Sequence, residues 1–293
     1  MKGIMNDIWK TIGFKNIKKV FINLEKKSNL GHAYLFSGQD MIGKRTFAME
    51  LVSKIKNLNG AIEKHPDIFY ISGGGEDGKI AIEKIRELKK FIYLKPYSAP
   101  YKFAIIDEAH QITQEAGNSI LKILEEPPAS SILILISSKP SQLLPTILSR
   151  CEIIKFSPHP KDILKNYFKT LKLTDEQIDF LVNFSNGRIG LAISLYEKES
   201  FSMIRKVIED FVKFIKSPVH KRFNFIENLL AGRLDYDIET AILYWIFYLR
   251  SPASDKIKIE KQRILKKLIK AHHYIHQSQL NHRLLMESNF LNL

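Results

Sequence analysis

Cysteine is almost absent from this chain: Cys151 is the only one in 293 residues. One thiol cannot form an internal disulfide or build a cysteine-cluster zinc site. No stretch approaches the roughly 18 apolar residues that a membrane helix needs. The opening Met1-Lys2-Gly3-Ile4-Met5-Asn6-Asp7 lacks the apolar core and small-residue cleavage site of a signal peptide. A cytoplasmic protein is the expectation. No internal repeat and no low-complexity linker is evident.

Acids are also scarce, 31 against 45 lysines and arginines, for a net charge of +14. That excess favours contact with polyanions, nucleic acid above all, although a lysine-rich proteome produces the same balance. What is present in ordinary amounts is core and surface: 45% hydrophobic and 26% charged residues, in a chain long enough for two or three domains.

Residues 1–157 read as alternating strands and helices. Apolar runs at 33–36, 68–71, 103–106, 132–136 and 153–156 are continuous rather than alternating, as in strands covered on both faces. Helical stretches between them predict a parallel α/β sheet. One connecting helix is well marked: Thr113 caps it, Ala116, Ile120, Leu121, Ile123 and Leu124 line one face, and Pro127-Pro128 stop it. After Ser157-Pro158-His159-Pro160 only helical periodicity remains. It forms one small block to about residue 200 and a second over 201–293, interrupted near Ser217-Pro218 and Ser251-Pro252.

Gly38-Gln39-Asp40-Met41-Ile42-Gly43-Lys44-Arg45 follows the first strand and opens a helix. That context suits a phosphate-binding loop, with backbone amides and a helix N-terminus for the anion and Lys44 for the terminal phosphates. The pattern asks for Ser or Thr after the lysine to ligate Mg²⁺, and Arg45 stands there instead. Thr46 is a poor substitute, since one helical step turns its side chain by roughly 100°. A tight strand-to-helix turn without ligand is the other reading. The strand over 103–106 ends in Asp107-Glu108, a pair suited to holding a metal or water and to activating that water. Acids favoured by a helix N-terminus explain the pair as well. Asp107-Glu108-Ala109-His110 also spells a helicase box, with no second helicase-like core beside it. Ser149-Arg150-Cys151 precedes the fifth strand, where an arginine can reach another subunit's γ-phosphate or serve as a surface ion-pair partner. Gly73-Gly74-Gly75-Glu76-Asp77-Gly78-Lys79 reads as an exposed turn. His65 and His110 stand too far apart in sequence for a metal pair, so no metal site is expected.

Together these motifs resemble the bacterial DNA polymerase III clamp-loader family, within the AAA+ ATPases, and its delta-prime branch most closely. The strings that carry the resemblance are Gly31-His32-Ala33-Tyr34-Leu35-Phe36-Ser37-Gly38, His65-Pro66-Asp67, Ala116 through Pro128, and Leu144 through Cys151. The resemblance implies a RecA-like AAA+ domain with a five-stranded parallel sheet over 1–157, a small helical lid over 158–200 and an all-α collar over 201–293. The stretch from Asn281 to Glu287 looks like the collar's closing helix. It places Gly38, Gly43, Lys44, Arg45 and Thr46 in a Walker A loop, Asp107 and Glu108 in Walker B, and Ser137 or Ser138 at a first sensor. Arg150, flanked by Ser149 and Cys151, matches the finger such subunits insert into a neighbour's site.

Two departures bear on activity. Arg45 breaks the metal-binding pattern, and aligning Gly187 and Ala192 with the family's lid motif puts Gly190 where a sensing arginine belongs, with Arg188 two places off. Relatives commonly carry a four-cysteine zinc module, which one cysteine cannot supply. The resemblance therefore implies a stator subunit that needs no cofactor of its own, with ATP binding open and hydrolysis not expected. Its partners would be gamma/tau ATPase and delta subunits in a hetero-pentamer, with the sliding clamp and primed DNA reached through the assembly. An active gamma/tau-type ATPase is the alternative. A DNA-binding protein using Lys261, Arg263, Lys266, Lys267 and Lys270 is a third reading, and a solvated helix face accounts for that run equally.

Overall fold

The structure is a computed structural model that describes residues 9–58, 62–73, 78–98, 100–197, 201–251, 254, 261–275 and 286–287. The chain divides into two compact units, Met1–His159 and Pro160–Leu293. No described helix is long and apolar enough to cross a membrane.

In the first unit, the continuous apolar runs become five strands: β1 (Ala33–Ser37), β2 (Ile68–Ile71), β3 (Lys102–Ile106), β4 (Ser131–Ser137) and β5 (Glu152–Lys155). They form one sheet in the order β2-β3-β4-β1-β5, with every pairing parallel. The connecting helices are α1 (Lys15–Lys26), α2 (Lys44–Lys56), α3 (Ile82–Ile92), α4 (Gln114–Glu125) and the single turn α5 (Pro145–Leu148). Strand side chains alternate between two cores. Tyr34, Phe36, Phe103, Ile105, Ile132 and Ile134 pack with Phe21 of α1 and with Phe47 and Leu51 of α2. Leu35, Ala104, Ile106, Leu133 and Leu135 pack on the other face with Ile85 and Leu88 of α3 and Ile120 of α4. This is a three-layer α/β/α unit, and it explains why the strands are apolar on both sides. Thr113 caps α4 as its sequence predicts, its hydroxyl accepting from the Ala116 amide at 3.3 Å.

A buried ion pair ties the far end of α2 to the sheet. Lys56 Nζ lies 2.7 Å from Asp67 Oδ2, and both side chains are fully buried. Asp67 also accepts from the amides of Tyr97 (2.6 Å) and Ser98 (2.7 Å) and from the Ser98 hydroxyl (3.1 Å). Burial alone would raise this carboxyl, but the Lys56 contact and the Ser98 and Tyr97 bonds outweigh it and hold it far below the usual carboxylate range. The aspartate of His65-Pro66-Asp67 is thus an internal tie that fixes the chain leading into β3. Cys151, half-buried against the α3–α5 core, has its thiol pushed up to about 12 by that burial.

All described elements of the second unit are helices: α6 (Lys161–Phe168), α7 (Asp175–Ser185), α8 (Ile189–Glu197), α9 (Phe201–Lys216), α10 (Val219–Leu230), α11 (Ile238–Arg250) and α12 (Lys261–Ile275). Thr174 and Gln177 form a capping box on α7, and Asn186 ends it in the left-handed region at φ 48°. Trp245 of α11 stacks on Phe211 and Phe214 of α9, and its indole N–H donates to the Val207 carbonyl at 3.2 Å. Of the stretch from Asn281 to Glu287, only Met286 and Glu287 are among the described residues, and both are helical; in the glycine-rich run, 74–77 lie outside them.

The interior of the first unit yields two predictions. Asp67→Asn leaves Lys56 buried without its countercharge, and is expected to cost about 3–5 kcal/mol in urea denaturation at neutral pH. Because the folded carboxyl titrates below the unfolded one, its contribution is complete above about pH 4 and fades as pH falls below that value. The wild type should therefore lose stability on acidification through this window more steeply than the variant, and equal slopes would contradict the assignment. Cys151 in the folded chain should react with a neutral-pH disulfide reagent about a hundredfold or more slower than after denaturation, as its suppressed thiolate requires.

Candidate functional site

The C-terminal ends of β1, β3 and β4 lie side by side because those strands are neighbours in the sheet. The loop 38–43 leaves β1 there. Gly38 donates its amide to the Ser137 carbonyl at 3.2 Å, and a Cβ at that position would stand 2.3 Å from the Phe156 carbonyl oxygen. Only glycine allows this passage. Gly43, at φ 101°, then turns the chain into α2. Lys44 is buried at the start of that helix, and its Nζ donates to the carbonyls of Gly38 and Gln39 at 2.6 Å each. Burial pulls its ammonium below the usual lysine range, while Asp40, Asp107 and Glu108 act against that shift.

Asp107 follows β3 and accepts twice, from the Tyr70 hydroxyl at 3.1 Å and from the Glu108 amide at 2.9 Å. Glu108 holds a left-handed φ of 51°, a conformation that a non-glycine residue adopts at some cost. Its carboxyl is raised first by desolvation and then by Asp107 and Asp40, with Lys139 and Lys44 opposing. Ser137 closes β4 fully buried, its hydroxyl accepting from the Lys139 amide at 3.1 Å and lying 3.4 Å from His110 Nδ1. His110 is lowered by burial and by Lys139. The structure thus gathers Gly38, Gly43, Lys44, Asp107, Glu108 and Ser137 at one sheet edge. Such a group can hold a phosphate at the loop and set a carboxylate over it.

Arg45 and Thr46 behave differently. Both are exposed, and the Arg45 guanidinium carbon lies 4.8 Å from the Tyr70 ring centroid, a cation–π contact. Where a phosphate loop ordinarily offers a divalent cation a hydroxyl, position 45 offers a guanidinium, and each oxygen of Asp107 accepts one hydrogen bond. Among the described residues no group of three or more His, Cys, Asp or Glu is arranged to hold a metal ion.

Arg150 stands at the opposite end of the sheet. In the parallel register Tyr34 is level with Glu152 and Ser37 with Lys155, so the residues before β5 lie at the edge where β1 begins, while the loop lies where it ends. At about 3.3 Å per residue the two ends are roughly 15 Å apart, longer than an arginine side chain. Arg150 is part-exposed and held in place: Nη2 is 2.8 Å from Glu125 Oε1, and Nη1 donates to the Thr146 carbonyl at 3.0 Å and to Ser149 Oγ at 3.3 Å. Ser149 also donates to Thr146 at 3.1 Å, and the high pKa of Cys151 leaves its thiol protonated, packed against the core.

In the second unit, Gly190 lies in α8 and brings no side chain, while Arg188 is buried, its Nε donating to the Ser185 carbonyl at 3.1 Å and its guanidinium 4.5 Å from the Phe247 ring. Sequence reasoning missed the Arg45–Tyr70–Asp107 chain and the His110–Ser137 contact, and it gave an ion pair as one reading of Arg150 without naming Glu125 as the partner. All join residues distant in sequence, and only the matching order of motifs hinted at them.

Comparison with known proteins bears on the whole. A family model described as DNA polymerase III, delta subunit, matches residues 13–160. DNA polymerase III subunit delta' of Bacillus subtilis is 27% identical over 226 residues, covering 72% of this chain and 68% of its own length. A subunit gamma/tau of Mycoplasma pneumoniae is 29% identical over 210 residues, 65% of this chain and only 30% of its own, so the chain spans about a third of that relative. A solved DNA polymerase III gamma-subunit-related protein from Thermotoga maritima shares the fold, with a TM-score of 0.63 at 20% identity over 95% of this chain and 97% of its own. The family match runs from the residues before α1 to just past β5, through the loop, the acid pair and Arg150, and the chain belongs to this DNA polymerase III delta subunit family of clamp-loader proteins with the AAA+ fold.

Proposed function

We propose that the chain is the delta-prime, or stator, subunit of a DNA polymerase III clamp loader, and that it does not hydrolyse ATP itself. Its role is to complete the ATP site of a neighbouring gamma/tau-type ATPase by offering Arg150 in trans. The observation that carries this reading is the placement of Arg150: at the sheet end remote from its own loop, part-exposed, and aimed by Glu125 and Thr146. An arginine there is out of reach of its own loop, which supports a role at another subunit's phosphates. Fixing the guanidinium beforehand lowers the ordering cost of inserting it into a partner. Arg45 in the metal-ligand position and Gly190 in place of a lid arginine support the non-hydrolysing half of the proposal.

In this reading 158–200 forms the lid and 201–293 the collar that joins gamma/tau and delta subunits in a hetero-pentameric ring. The assembly, as part of the polymerase III holoenzyme, loads the sliding clamp on primed DNA. Lys44 and the loop amides would hold a nucleotide's phosphates if one binds. The second reading, an active gamma/tau-type ATPase, is favoured by Lys44, Asp107 and Glu108 all being in place and by the comparable identity of the gamma/tau relatives.

Arg150→Ala should leave ring assembly intact and lower the DNA-stimulated ATPase of the reconstituted complex by ~10³-fold at the site it completes. Glu125→Ala, which frees the guanidinium without removing it, should lower the rate by a smaller factor. An Arg150→Ala complex that assembles and hydrolyses ATP at the wild-type rate would rule out the trans role.

A further inference from the structure

Arg45 sits at the position after Lys44, where a hydroxyl would face a divalent cation. Its guanidinium lies against the Tyr70 ring at 4.8 Å, and the Tyr70 hydroxyl donates to Asp107 Oδ2 at 3.1 Å. A fixed positive charge is therefore linked, through one aromatic ring, to the carboxylate that would otherwise turn toward a metal. The loop keeps its phosphate-binding parts. The first amides of α2 have no acceptor within the helix, Gly43 sets their direction, and the Lys44 ammonium rests on two loop carbonyls that an entering phosphate can replace. Guanidinium is weakly hydrated and presents five donors in a planar fork, which suits the oxygens of a polyphosphate. A magnesium ion brought in with the nucleotide would meet this cation and the hydrogen-bonded oxygens of Asp107, and both disfavour it.

We propose that Arg45 takes the place of the divalent cation, so that the loop binds a nucleoside di- or triphosphate as the metal-free anion and holds it unhydrolysed. This rests on the non-hydrolysing reading of the loop and adds to it a ligand and a condition for binding. The bound nucleotide would brace the first turn of α2 against β1 as a structural ligand.

The test is a titration of the full-length chain with a fluorescent ADP analogue, in excess EDTA and again in excess Mg²⁺. The comparison takes the wild type, Arg45→Thr and Lys44→Ala. Arg45 is exposed, so its substitution leaves the core untouched. The wild type is expected to bind at least as tightly in EDTA as in Mg²⁺. Arg45→Thr should lose affinity by on the order of tenfold in EDTA and regain it with Mg²⁺, while Lys44→Ala should be weak in both and so locate the ligand at the loop. Wild-type binding that requires Mg²⁺, an Arg45→Thr affinity in EDTA equal to the wild type's, or no binding in either buffer would each overturn the proposal. None of these results touches Arg150, whose role is read in the hydrolysis rate of the assembly, so failure of one idea is distinguishable from failure of the other.

Discussion

Strand β1 is clamped between β4 and β5, and the chemistry available at either end of the sheet depends on that double pairing. At the C-terminal end it brings Gly38 against the Phe156 carbonyl so closely that a side chain is excluded, and this contact aims the loop at the end of β4 and the turn after β3. At the N-terminal end it seats the chain entering β5 beside α4, where Glu125 receives Arg150. A parallel strand cannot present both its loop and its neighbour's leading turn at one edge. The separation of the phosphate loop from the arginine is thus a property of the topology.

The site at the loop is a set of opposed charges. Lys44 and Lys139 face Asp40, Asp107 and Glu108, and the shifts of Lys44, Glu108 and His110 show burial working against those charges. Two of these ions have protein partners: Lys44 sits on the Gly38 and Gln39 carbonyls, and Asp107 accepts from Tyr70 and Glu108.

Much of the first unit was legible in the sequence because doubly covered strands must be apolar along their whole length. The runs at 33–36, 68–71, 103–106 and 132–136 became strands within a residue or two, and 153–156 became β5. Thr113 capped its helix through a local contact that a sequence displays directly. Strand order was not legible, since apolar runs carry no record of which neighbour they pair with. Nor was the work of Asp67, whose partners Lys56, Tyr97 and Ser98 are 11 to 31 residues away. Arg188 illustrates the same limit: near a lid motif in sequence, it is committed in space to Phe247 and the Ser185 carbonyl. The loop and acid pair could be located from their residues, but the contacts that join Arg45 and Asp107 run through Tyr70, which nothing in the motif announces.

Steady-state ATP hydrolysis by the purified chain alone tests the central claim most directly. The account predicts no turnover above that of a Lys44→Ala control, with hydrolysis appearing only when an intact clamp-loader ATPase, clamp and primed DNA are added. Vigorous turnover by the chain alone, abolished by Lys44→Ala, would contradict it and identify the loop as a working ATPase.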